Sequence, residues 1–117
     1  MHLIKLLKTD TLGIVFYNGG KVMRAEVSAV YYFETVDEKT CACFAKLVLS
    51  VHQKLYQLEE MLPGNFCRVS KSLILNLDKI KSISPALSGR YEALMANAEK
   101  VIISRAYVRE MKRRLGL

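Results

Sequence analysis

Residues 66–76 read Phe66-Cys67-Arg68-Val69-Ser70-Lys71-Ser72-Leu73-Ile74-Leu75-Asn76. Phe66 to Val69 is a short, largely apolar segment, Ser70-Lys71-Ser72 reads as a turn, and Leu73 to Leu77 is an apolar stretch. A lysine between two small hydroxyls suits contact with phosphates and base edges. The same three residues would equally make an ordinary surface turn before a short helix.

Working outward towards the C-terminus, Ile80 to Ile83, Arg90 to Met95 and Lys100 to Ile103 read as strands, with Ser88-Gly89 and Asn97-Ala98 as the turns between them. Ala98 stands where a tight turn would usually carry glycine. Ser104 is a good cap for a terminal helix, in which Val108, Met111 and Leu115 form an apolar stripe and Gly116 closes the segment. Towards the N-terminus, Leu12 to Tyr17 and Lys21 to Ala25 flank Asn18-Gly19-Gly20, which reads as a hairpin. A second hairpin is expected from Val30 to Thr35, a turn at Asp37-Glu38-Lys39, and the apolar segment Cys41 to Leu49. Ser50 with Gln53 resembles a capping box, and Val51, Leu55, Leu58 and Leu62 follow at helical spacing until Pro63-Gly64. The expectation is a mainly β chain with a short mid-chain helix and a C-terminal helix.

The chain has 117 residues, 51% of them hydrophobic and 25% charged, so it can bury one core and has the size of one domain. Its 18 Lys and Arg against 11 Asp and Glu leave +7, a balance that favours a polyanionic partner, either nucleic acid or an anionic membrane surface. No apolar run reaches the roughly 18 residues a spanning helix needs. Met1 to Leu7 is interrupted by Lys5 and is too short for a signal-peptide core, so the expected location is the cytoplasm. Cys41, Cys43 and Cys67 are odd in number, which suggests buried reduced thiols.

Catalytic chemistry finds little to work with. His2 lies near the terminus, and His52 opens the expected helix without a metal-spaced partner. Cys41-Ala42-Cys43 lacks zinc-ribbon spacing, Asn18-Gly19-Gly20-Lys21 lacks the rest of a phosphate loop, and Glu59 and Glu60 diverge by about 100° on a helix. No catalysis, metal, cofactor or small-molecule substrate is expected.

Positive charge concentrates in two places. The last thirteen residues hold Arg105, Arg109, Lys112, Arg113 and Arg114 against Glu110 alone, and the first four of these share one helical face beside the apolar stripe. Arg68, Lys71, Lys79 and Lys81 bracket the apolar stretch after the Ser70-Lys71-Ser72 turn. A basic last turn that merely complements the helix dipole is the plainer reading of the first cluster.

Both clusters sit inside motifs that resemble the LytTR DNA-binding family. Residues 66–76 are similar to the family's Phe-x-Arg-x-His/Ser-x-Ser-x-x-Val/Leu-Asn signature, continued by Asp78-Lys79-Ile80-Lys81-Ser82-Ile83. Ser104-Arg105-Ala106-Tyr107 through Lys112 resembles its terminal Ser-Arg-x-Tyr-x-x-x-Leu-Lys segment, and Asn97-Ala98-Glu99 stands where Asn-Gly-Glu is common. Val30-Tyr31-Tyr32-Phe33-Glu34 and Leu55 to Leu62 resemble the family's upstream strand and helix, so the likeness runs from about residue 12 to 115.

The resemblance implies an elongated β-sandwich-like domain over residues 12–117, after an N-terminal extension over 1–11. Such domains read paired direct repeats in double-stranded DNA with loops that enter successive major grooves. Carried over by position, the base contacts would be Lys39, Thr40, Ser70, Lys71 and Arg105. The backbone contacts would be Arg68, Ser72, Tyr107, Arg109, Lys112 and Arg113. Ala106 departs from the basic residue many relatives carry there. A homodimer on DNA and a small membrane-protein regulator are the further partners it suggests. The alternative is a basic β-domain that binds polyanions or proteins without selectivity.

Overall fold

A computed structural model describes residues 12–117; the expected extension over 1–11 lies outside the described residues. Its organising element is the pair β6 (Phe66–Ser70) and β7 (Leu73–Asn76), which is buried on both faces. On one face Phe66 and Ile74 join a core with Ile14, Phe16, Val30, Phe33, Ala42, Leu49 and Val51. On the other, Cys67, Val69 and Leu75 meet Ala93, Met95, Val101, Ile103 and Met111. Alternating side chains on an extended strand serve both cores at once.

Among the described residues the large sheet has seven strands. Besides β6 and β7 it contains β1 (Phe16–Asn18), β2 (Lys21–Met23), β3 (Tyr32–Val36), β4 (Lys39–Cys43) and β5 (Val48–Val51), in the order β2-β1-β5-β4-β3-β7-β6. Helix α1 (Leu55–Met61) closes the first core with Leu55 and Leu58. A second, three-stranded sheet of β8 (Ile80–Pro85), β9 (Tyr91–Met95) and β10 (Lys100–Ile103) lies over the other face. Helix α2 (Val108–Leu115) docks there through Met111, which is fully buried, with Val108 and Leu115 beside it. The result is an elongated, mainly β body of 48 × 24 × 23 Å.

Three local expectations need correction. Cys41 to Leu49 is two strands, because Phe44 N donates to Leu47 O (2.7 Å) and turns the chain. Ser50 and Val51 belong to β5, where Leu49 and Val51 are buried with period two, and Ser50 pairs with Cys41. The helix therefore starts at Leu55, with the Lys54 N–H donating to Gln57 Oε1 (2.8 Å), and His52 precedes it, stacked on Tyr17 at 4.2 Å. Ser104 opens a 3₁₀ turn, Arg105–Tyr107, without a side-chain cap, and α2 begins only at Val108. The stop at Gly116 is as expected, with φ of 77°.

Two polar devices tie the layers together. Asn76 is fully buried; its Nδ2 donates to Val30 O (2.8 Å), and its Oδ1 accepts from Asn65 Nδ2 and Asp78 N, both at 3.0 Å. At the end of β9, Asn97 Nδ2 donates to Ala45 O (3.2 Å), and Tyr32 Oη donates to Glu99 Oε2 (2.7 Å), latching the small sheet to the large one. Burial, then the Glu99 bond, pushes the Tyr32 hydroxyl above its usual range. Burial likewise pushes the Cys43 thiol up to about 11 and raises Cys67, so both stay protonated.

Asn76→Leu leaves the Val30 carbonyl unpaired in the core and is expected to cost about 2 kcal/mol; an unchanged urea midpoint would refute this. Ala98 holds φ of 73°, a left-handed conformation that costs a side-chain-bearing residue about 1 kcal/mol. Ala98→Gly should therefore raise the unfolding free energy by about 1 kcal/mol, read from urea titration.

Candidate nucleic-acid interface

Three turns converge on one end of the sheet, and backbone hydrogen bonds hold them together. The β3–β4 turn is Asp37-Glu38, both with left-handed φ (50° and 64°), which brings Val36 and Lys39 into register. Thr35, at its base, donates its N–H to Ser72 O of the β6–β7 turn (2.9 Å). Ser104, where the third segment leaves β10, donates to Val69 O (2.8 Å) just before that same turn. The β6–β7 turn is thus the middle member, with a turn tied to it on each side.

Its shape is enforced from within. Arg68 projects from β6 and donates through Nε to Ser70 O (2.7 Å), through Nη2 to Lys71 O, and through Nη1 to the Glu59 carboxylate of α1. Ser70 Oγ accepts from the Ser72 N–H (3.2 Å). A register shift between Arg68 and Ser70 marks a bulge that bends the strand into the turn. Lys71 and Ser72 are left exposed at the tip, and the Lys71 ammonium has no partner among the described residues.

The expected contact residues divide by what they already hold. Lys39, Lys71, Arg105 and Arg109 are exposed cations with no side-chain partner among the described residues. Lys112 donates to Tyr91 Oη (3.1 Å) and lies over that ring, and Arg113 is paired with Glu110. Arg68 is committed to its turn. Tyr107 is half-buried against the second core. Thr40 belongs to β4 rather than to the turn and is only 5% exposed, because it faces inward opposite Val51.

Beyond the loops, Arg105 of the 3₁₀ turn and Arg109, Lys112 and Arg113 of α2 line, with Gly89, Val108 and Leu117, a concavity of about 620 Å³. Gly89 belongs to the turn between β8 and β9, read from sequence only as a turn. Nothing in the spacing of Gly89 and Arg105 signals that they meet. Lys79 ends the 3₁₀ turn Leu77–Lys79 just before β8 and sits over the Tyr31 ring, and Lys81 is the second residue of β8. Arg114, not assigned a role from sequence, donates to Phe66 O and fastens α2 to β6.

Glu110 organises the charged side of α2. Hydrogen bonds from Arg113 and Arg114 hold its carboxyl down at about 2, below the ordinary 4.5. In that interval the unfolded chain binds a proton that the folded chain does not, so stability from this group is complete above about pH 4.5 and is lost as pH falls towards 2. Melting curves between these limits should show a flatter acid decline for Glu110→Gln than for the parent; parallel declines would contradict this role.

Comparison with known proteins bears on the same residues. Positions 20–116 match the LytTr DNA-binding domain family. Sensory transduction protein LytT of Enterococcus faecalis is 34% identical over 88 residues, 74% of this chain and 36% of that protein. An uncharacterised HTH-type transcriptional regulator of Staphylococcus aureus is 29% identical over 110 residues, 94% of this chain and 74% of that protein. The chain thus spans little more than a third of the LytT proteins it matches. A LytTr DNA-binding domain from Bacillus cereus superimposes with a TM-score of 0.81 at 28% identity, covering 89% of this chain and 97% of that one.

Proposed function

Because the chain belongs to the LytTr DNA-binding domain family, we propose that it is a sequence-specific transcriptional regulator that grips double-stranded DNA along the edge formed by its three turns. Residues 12–117 are the DNA-binding unit in this reading, with 1–11 as an N-terminal extension. The observation behind it is the hydrogen-bonded row of turns that leaves Lys39, Lys71 and Arg105 exposed and without side-chain partners among the described residues.

The turns are better suited to reading bases than either helix. The outer side of α1 carries Glu60, which phosphates repel, and α1 and α2 are separated by five strands rather than paired as a helix-turn-helix. Lys71 and Arg105 donate to guanine O6 and N7, and Ser70 and Lys39 contact neighbouring base edges. Thr40, set back in β4 and buried, makes no base contact in this reading.

Arg109, Ser72 and Tyr107 contact phosphates that fix register without reading sequence. Lys112 and Arg113 join them by trading an internal partner for a phosphate oxygen. Arg68 contributes through the turn it braces. Two copies bind paired direct repeats as a dimer on DNA, the loops of each entering successive major grooves. A small membrane protein is the proposed regulator, and failure of the two to co-purify would count against that partner. No step of this function requires catalysis.

Selection from a random duplex pool, followed by titration on the winner and a scrambled control at one salt concentration, tests the reading. The parent chain should prefer the winner by about 10³-fold or more. Lys71→Ala should narrow that gap by about tenfold, within the range of one base contact. An unenriched pool, with equal and salt-sensitive binding to every duplex, would leave only a nonselective basic domain.

A further inference from the structure

Arg105 is the exposed cation of the third turn, and no hydrogen bond or ion pair orients its guanidinium among the described residues. What it does touch is backbone. The turn between β8 and β9 runs through Ser88 and Gly89, both with left-handed φ (61° and 75°). A Cβ built on Gly89 would stand 3.2 Å from both Cγ and Cδ of Arg105 and 3.5 Å from its Nε. The arginine stem therefore lies across the bare Cα of a residue in a different hairpin. It lies on the rim of the basic concavity that Arg109, Lys112 and Arg113 also line.

We infer that Gly89 is a positioning residue for Arg105: the missing side chain leaves the space in which the arginine stem rests, and so sets where the guanidinium stands along the DNA-reading edge. The inference rests on the function proposed above and extends it to a turn outside the three that face DNA. Its physical basis is packing. A flexible side chain with no polar partner takes its direction from the surface it lies on, and any Cβ at position 89 would lift that surface into the stem. Base reading by arginine is bidentate and sensitive to direction, so a displaced stem loses selectivity before it loses charge.

A double-mutant cycle on the full chain tests this, using the duplex selected by the parent and its scrambled control. Gly89→Asn is the first variant, because asparagine tolerates the left-handed backbone while still adding a Cβ. It should weaken binding to the selected duplex by about threefold to tenfold, the range of one impaired base contact. The scrambled control should change by less than about twofold, since no charge is lost. In an Arg105→Ala background the same substitution should change neither duplex by more than about twofold. Gly89→Ala, which adds the methyl group alone, repeats the cycle if the asparagine variant melts early.

Equal losses in both backgrounds, or none in either, would overturn the inference while leaving the DNA reading intact. So would an Arg105→Ala chain that binds the selected duplex like the parent. A parent chain that selects no duplex removes the DNA reading and this inference with it.

Discussion

Burial of the β6–β7 pair on both faces is the constraint from which the rest follows. A strand with one wet face can slip by exchanging partners of similar polarity, but a slip here would move Phe66 and Ile74 out of one core and Cys67 and Leu75 out of the other together. Register is thereby pinned from two sides, and Asn76 adds a polar lock between this pair and the backbone at Val30. The turn that joins the pair inherits this rigidity. Its outward lysine stands on one of the most over-determined pieces of backbone in the molecule.

Much of this was legible in the amino-acid sequence. Strands β8 to β10 and their turns emerge from alternation and turn residues, whereas β6 and β7 read only as a short segment and an apolar stretch around a turn; the terminal stripe of Val108, Met111 and Leu115 docks as its spacing indicates. The upstream half was harder for a physical reason. Val51, Leu55, Leu58 and Leu62 satisfy a helical period, yet Val51 completes a strand, because a short apolar run fits either period until its partner strand is known. Cys41 to Leu49 hid a turn for a related reason: Phe44-Ala45-Lys46-Leu47 contains no glycine or proline to announce it.

The interface was legible as composition but not as a division of labour. Counting positive charge treats Arg68, Lys71, Arg105 and Arg113 alike. In the folded chain Arg68 is a structural brace and Arg113 half of an ion pair with Glu110, while Lys71 and Arg105 have no hydrogen-bond or ion-pair partner among the described residues. That distinction depends on which carbonyls and carboxylates the fold brings near each guanidinium, and these come from distant positions such as Glu59. Contact between Gly89 and Arg105 is of the same kind, since it joins two hairpins that no local pattern relates.

The latch at the far end of the small sheet completes the account. Tyr32–Glu99 and Asn97–Ala45 fasten that sheet at one end, and Ser104–Val69 fastens it at the other. A plate held at both ends has little freedom to pivot, so the distance between the second and third turns behaves as a fixed gauge. A gauge set before encounter spares the association the entropy of ordering it. In the reading proposed above, it also makes spacing between contacted bases a quantity the protein measures rather than accommodates.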